Sequence, residues 1–240
     1  MTAAAPAVVP GRPARPGATV RAALTDFYFH SLRLVPANIV WGAAAVGLAL
    51  VALAWPVGGL LLAPLLALPT AGIFRVAAVI VRGEPDLPWR RVLWPGVRVA
   101  ATALLLGIVI TAAGLILAGN VVAGLAQGGP PGWAFATLAG WGLVALWCGA
   151  IVAWPVFLDP ARIGRPVRDG VALSAKLLLV APVRFGAVGL VVALVLVASL
   201  VLTVAILTVS ISFVALIACR AVYPVADRLD PPAQPESPRP

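Results

Sequence analysis

The 240-residue chain has a single histidine, two cysteines, one lysine (Lys176) and only eight acidic residues. Each shortage removes a class of chemistry. His30 has no second His or Cys nearby and reads as part of a polar flank. Cys148 and Cys219 lie in or at the end of apolar runs, far apart and without CxxC spacing. They imply neither a disulfide framework nor a metal site, and read as small buried apolar residues. No carboxylate falls inside a long apolar run. Asp159 comes just past one, in Asp159-Pro160-Ala161-Arg162, where its expected role is to cap the following turn. An intramembrane aspartyl protease or a proton-coupled carrier would place Asp or Glu within the bilayer. Gly-rich phosphate loops and HExxH are missing too. No catalytic residue, cofactor or metal is therefore expected, and the chain does not read as an enzyme.

Apolar sequence is what the chain has in excess: 62% of residues are hydrophobic and 10% charged. A soluble domain carries about 45–50% apolar and about 25% charged residues. With so little polar surface, most of the chain must face lipid, and the bilayer is its first partner. The net charge is +9, and 16 of the 17 basic residues are Arg. They are dispersed rather than gathered in a stripe with aromatics, so nucleic acid is not an expected partner. The charge is better read through the excess of Lys and Arg on cytoplasmic loops. Heavy use of Ala, Val, Leu, Gly, Pro and Arg also suggests a GC-rich bacterial genome.

Charge divides the sequence. The uncharged segments are Leu34–Phe74, Val99–Leu158 and Phe185–Cys219, each too long for one crossing of about 20 residues. Turn residues split the first at Trp55–Gly59, giving spans of about 37–54 and 59–78, the latter kinked by Pro64 and Pro69. The second splits at a Gly/Pro-rich loop, Gly119–Gly132, giving spans of about 99–117 and 133–156. The third has 35 residues, and as one helix it would run about 52 Å, beyond an ordinary crossing. Two short spans, about 185–201 and 205–222 with a turn in the polar stretch Thr203–Ser212, keep Arg184, Arg220 and Arg228 on one side. The expected fold is thus an all-α polytopic transmembrane bundle of about six spans, one domain over residues 19–228. Residues 1–18 and 229–240 are expected as disordered cytoplasmic tails, the first lacking the apolar core of a signal peptide. The expected location is the plasma membrane, with both termini in the cytoplasm. The eight tryptophans fall mostly near span boundaries, as interface anchors do.

Before each hairpin comes a segment mixing charge with apolar residues. In Val20–Val35, Val20, Leu24, Phe27, Ser31 and Leu34 share one helical face, with Thr25, Asp26 and Arg33 opposite. The second is Trp89–Arg98. In the third, Val167–Val180, Val171, Ser174, Leu177 and Leu178 oppose Arg168, Asp169 and Lys176. This spacing marks helices lying in the membrane interface. Pro36, Pro95 and Pro182 are where the chain would turn to cross.

Four polar positions stand out within or beside the spans: Asn38, Arg75, Thr111 and Asn120. Asn38 is expected to bond across helices. Arg75 lies about 10 Å along a helix from Arg82, so it is expected to reach the headgroups rather than a substrate. Asn120 is expected in the outer loop after the third span.

The stretch FYFHSLRLVPANIVWG with its Asn38, the later PTAGIFRVAAVIVRGE with Pro69, Ala71, Gly72, Arg82 and Gly83, and LSAKLLLVAPVRF resemble the YesL-type family of bacterial membrane proteins over roughly residues 24–226. That family is of unknown function and often accompanies sugar-uptake transporters of the ATP-binding-cassette (ABC) type. The resemblance implies a non-enzymatic accessory or regulatory role beside such transporter subunits. The alternative is a small oligomeric transporter or channel, since broken helices such as the second span often line substrate sites.

Overall fold

A backbone surrounded by hydrocarbon must satisfy its own N–H and C=O groups, which favours helices over open strands and loops. The computed structural model describes residues 16–83, 97–201 and 209–231, and no strand occurs among them. The helices are α1 (Pro16–Ala54), α2 (Pro56–Leu62), a 3-10 segment (Ala63–Leu66), α3 (Ala67–Arg82), α4 (Val97–Gln127), α5 (Gly129–Leu158), a 3-10 turn (Pro160–Arg162), α6 (Val167–Val180), α7 (Pro182–Val201) and α8 (Ile211–Leu229). Among the described residues, five stretches are long and apolar enough to cross a membrane: Gly17–Ala54, Pro56–Arg82, Val99–Gln127, Gly129–Leu158 and Pro182–Ser199. Trp133 and Trp154 lie about 31 Å apart along α5, matching the spacing of the two interfacial belts across a hydrocarbon core of about 30 Å.

The helices pair as antiparallel neighbours. Trp55 is extended (φ −147°, ψ 88°) before Pro56, so the chain leaves α1 there and returns in α2. Pro64 and Pro69 break the return path into α2, the 3-10 segment and α3, the expected kink. The α4–α5 turn rests on Gly128 (φ 67°, ψ −179°), a conformation essentially confined to glycine, and on Gly129 (φ 68°), where positive φ favours it. Gly124 and Gly132 face each other across that hairpin. Arg184 Nη2, early in α7, donates to the carbonyl of Ala221, late in α8, at 3.0 Å, so these two helices also run in opposite directions.

At the centre is α8. It packs against α1, α3, α5, α6 and α7, and most of its residues from Ser212 to Ala226 are buried. Lipid is as apolar as Leu, so helices in a bilayer gain little from burying apolar area and instead need close backbone approach over small residues. α8 supplies Ala215, Ala218, Cys219, Ala221 and Ala226, and α3 supplies Ala67, Ala71, Ala77 and Ala78, all buried. Aromatic contacts fill the flanks: Phe27 meets Phe213 edge-on at 6.4 Å, and Phe74 stacks on Trp154 at 5.8 Å.

Several elements differ from the sequence-based expectation. The Gly119–Gly132 stretch is not a loop: α4 continues to Gln127 and α5 begins at Gly129. Glycine is well tolerated in lipid-facing helices, and Pro130 and Pro131 sit in the first turn of α5, where no intrahelical N–H is missed. Asn120 is therefore a helical residue. The first bend lies at His30 (φ −113°, ψ 17°) and not at Pro36, which stays inside α1. The chain turns where the His30 backbone leaves the helical region, and the helix carries on through Pro36 beyond it.

The inward faces of the two flanking segments also shift. On α1, Leu24 is exposed while Asp26 turns inward, held by Arg220 of α8 at 2.7 and 2.8 Å. On α6 the inward set is Leu173, Ser174 and Leu177, with Val171 exposed, because Gly170 seats the helix against the Phe157 ring. Helix α1 starts at Pro16, three residues inside the expected tail, and α8 runs on to Leu229. Pro182 opens α7 as anticipated. Residues 1–15, most of Trp89–Arg98 including Pro95, the Thr203–Thr208 part of the expected turn and 232–240 lie outside the described residues.

A Cβ at Gly124 would sit 2.7 Å from the Gly132 carbonyl oxygen and 2.8 Å from the Ala136 nitrogen, and backbone cannot step aside. Gly124→Ala is expected to lower stability in detergent by about 1–3 kcal/mol, as overpacking does. Gly119→Ala, where an added Cβ meets nothing within 4 Å, should leave it unchanged. Equal unfolding midpoints for the two variants would contradict the close-packed hairpin.

Candidate functional site

Charge in this fold collects where helices end. Gly83 (φ 75°) caps α3 in the left-handed conformation, its N–H donating to the Ile80 carbonyl at 3.1 Å. Arg82 is thereby left at the helix terminus. At the same end α5 stops at Leu158, and Asp159 caps the 3-10 turn by accepting from the Ala161 N–H at 3.1 Å, its expected role. Asp227 and Asp230 come from the end of α8.

These ends meet in one ion-pair network. Arg82 grips Asp159 with Nε (3.1 Å) and Nη2 (2.5 Å), and grips Asp227 with Nη1 (2.7 Å) and Nη2 (3.0 Å). Arg162 also pairs with Asp159, donates to Asp227 at 2.8 Å, and donates to the Asp230 carbonyl at 2.7 Å. Arg165 pairs with Asp230. The Tyr223 ring lies 4.4 Å beneath the Arg82 guanidinium, and the Tyr223 hydroxyl donates to the Pro155 carbonyl at 3.4 Å. The Asp159 side chain is fully buried, with Arg162 at 4% exposure and Arg82 at 16%.

Three guanidinium groups thus face three carboxylates, and the network is neutral. Asp159 accepts four hydrogen bonds, two on each oxygen, filling its acceptor capacity. Burial pushes the Asp227 carboxyl up, but hydrogen bonds from Arg82 and Arg162 outweigh it and hold the group below its ordinary range. Chemically this is a clamp joining α3, the α5 end and α8. A recess of about 30 Å³ beside it, bounded by Phe157, Arg162, Arg165 and Asp230, has room for about one water.

The four polar positions singled out in the sequence are not brought together. Asn38 is fully buried at the start of α8, where its Oδ1 accepts from the Ser212 N–H at 2.9 Å and lies 3.2 Å from the Ser212 hydroxyl. That hydroxyl is also 3.0 Å from the Leu34 carbonyl. Asn38 therefore caps an orphan donor of another helix's first turn. Arg75 is half-buried on α3, and Thr111 and Asn120 are half-buried on α4. Cys148 and Cys219 are both free thiols.

Sequence reasoning missed the network, although its members were visible as charges bracketing apolar runs: Arg82-Gly83, the Asp159–Arg162 turn, and Asp227-Arg228-Leu229-Asp230. Nothing in a single sequence says that Arg82 reaches across to Asp227. Comparison with family models, with curated proteins and with solved structures finds no match to this chain.

Removing one partner of a buried pair strands the other charge, which costs about 3–5 kcal/mol. Asp159→Asn is expected to destabilise by that amount in thermal or SDS-titration unfolding, and a loss below about 1 kcal/mol would show an exposed, weak pair. The low Asp227 value also fixes a pH dependence. Its contribution is complete above the ordinary value of 3.8 and vanishes as pH falls through the lower, folded value. Unfolding midpoints should be insensitive to this group from pH 5 to 8 and fall at more acidic pH, by less in Asp227→Asn than in the parent chain. An identical acid profile in both would contradict the assignment.

Proposed function

We propose that this chain is a non-catalytic, multi-pass protein of the plasma membrane, an accessory or regulatory component working beside ABC-type sugar-uptake transporter subunits. One observation carries the non-catalytic part: every aspartate among the described residues is ion-paired to arginine. Asp26 is held by Arg220, Asp159 and Asp227 by Arg82 and Arg162, Asp169 by Arg168 and Asp230 by Arg165. General acid–base chemistry and proton coupling both need a carboxylate free to titrate near the working pH. The carboxylates of the network are instead engaged by guanidinium groups. The transporter association rests on the family resemblance alone.

Both termini in the cytoplasm is part of the same reading. The α1–α2 and α4–α5 turns carry no charge, while the network and the Asp26–Arg220 pair collect Arg at the opposite ends of the helices. Retention of arginine on the side of synthesis accounts for that sorting.

The rival reading, a small transporter or channel, draws on the broken α2–α3 element. Against it, the break is filled: a Cβ on Gly107 of α4 would lie 3.0 Å from the Pro64 carbonyl oxygen and 2.5 Å from the Ala67 Cβ.

Two measurements test this. With Cys148 and Cys219 replaced by Ala, a cysteine introduced for Gln127 should react with a membrane-impermeant maleimide on intact cells. Labelling only after permeabilisation would reverse the orientation. Isolation of the tagged chain in mild detergent should recover ABC transporter subunits in stoichiometric amount. Their repeated absence, with sugar flux through proteoliposomes of this chain alone, would favour the transporter reading.

A further inference from the structure

One basic group at the charged end does not join the network. Arg184 stands two residues into α7, half-buried. Its Nη2 donates to the Ala221 carbonyl, whereas its Nη1 is shielded from solvent and has no hydrogen-bond acceptor among the described residues. The charged side chain that bears on it is another cation, Arg228. Arg228 follows Ala221 by two helical turns and so lies on the same face of α8, about 10 Å further along. It is exposed and forms no ion pair among the described residues. Two guanidiniums that act on each other with no carboxylate beside them among the described residues repel, and a buried N–H of a charged group left unpaired is costly.

The surroundings are apolar and open. Leu179, Val180 and Val183 beside Arg184 are 81%, 62% and 84% exposed. Leu190, Leu194 and Val197 continue an exposed stripe down one face of α7. Thus a stripe suited to acyl chains leads up to a pair of uncompensated guanidiniums at the level where helix ends meet the interface. Arginine forks match phosphate oxygens bidentately.

We infer that Arg184 and Arg228 bind the phosphate of an anionic glycerophospholipid, whose chains lie along the Val183–Leu190–Leu194–Val197 face of α7. The lipid supplies the acceptor that Arg184 Nη1 lacks among the described residues and neutralises the pair. Basic pockets beside transmembrane helices take anionic headgroups in this way.

The test uses the full chain in detergent and native mass spectrometry with phosphatidylglycerol, with phosphatidylcholine of the same chains, and with inorganic phosphate as competitor. Phosphatidylglycerol should bind in preference to phosphatidylcholine, and Arg184→Ala should weaken it about tenfold, the effect of losing one strong charged hydrogen bond. Should Arg184→Ala fail to fold, the exposed Arg228→Ala should still weaken binding several-fold. Arg168→Ala, which removes the same charge from a side chain 87% exposed, should not. Equal binding of both lipids, or equal losses in Arg228→Ala and Arg168→Ala, would overturn the site. Displacement of the lipid by an equal concentration of inorganic phosphate would overturn its lipid character, leaving a site for the free anion.

Discussion

Hydrocarbon tolerates neither a lone charge nor a lone backbone amide. In this chain that constraint comes to a focus at Asp159, a fully buried carboxylate at the end of α5. It is stable there because two guanidiniums and a backbone amide fill its acceptor positions, and those guanidiniums in turn hold Asp227 on α8. Neither arginine is satisfied by its own helix alone. The network therefore forms only when α3, the end of α5 and α8 are correctly assembled. Buried ion pairs contribute little net stability, yet breaking one is expensive, which makes them devices of register more than of strength.

The same reasoning explains why the most buried helix is one of the least apolar. α8 carries Ser212, Arg220, Tyr223 and Asp227, whose partners lie on three neighbours: Asn38 and Asp26 on α1, the Pro155 carbonyl on α5, Arg82 on α3. Small residues let the helices approach, and polar pairs at three depths set the rotation of α8. α4 and α5 are held differently, by the glycine contact near their turn and the 3-10 break against Gly107, and turn much of their surface outward to lipid.

Much of this was legible in the sequence. Uncharged runs longer than one crossing announced hairpins, the Trp55-Pro56 pair marked the first turn, and Val167–Val180 was readable to its ends from charge alternation and Pro182. The misreadings share a cause. Gly119, Gly124 and Gly132 look like loop residues by the rules of water, but a helix in lipid runs on through glycine, and at Gly124 and Gly132 it lets two helices touch. Leu24 and Asp26 were assigned to the wrong sides of α1 because amphipathic spacing assumes that charge faces water, and Arg220 reverses that locally. The candidate site stayed hidden for a stronger reason: Arg82, Asp159 and Asp227 are individually ordinary end-of-helix charges, and their meeting is a property of the fold.

The central claim is that these charges act as one buried unit, and the most direct measurement is a double-mutant cycle in reversible unfolding between Arg82→Ala and Asp159→Ala. The stability lost in the double variant should fall short of the sum of the single losses by about 2–3 kcal/mol, because each single change strands the other charge. Losses that simply add would contradict the account.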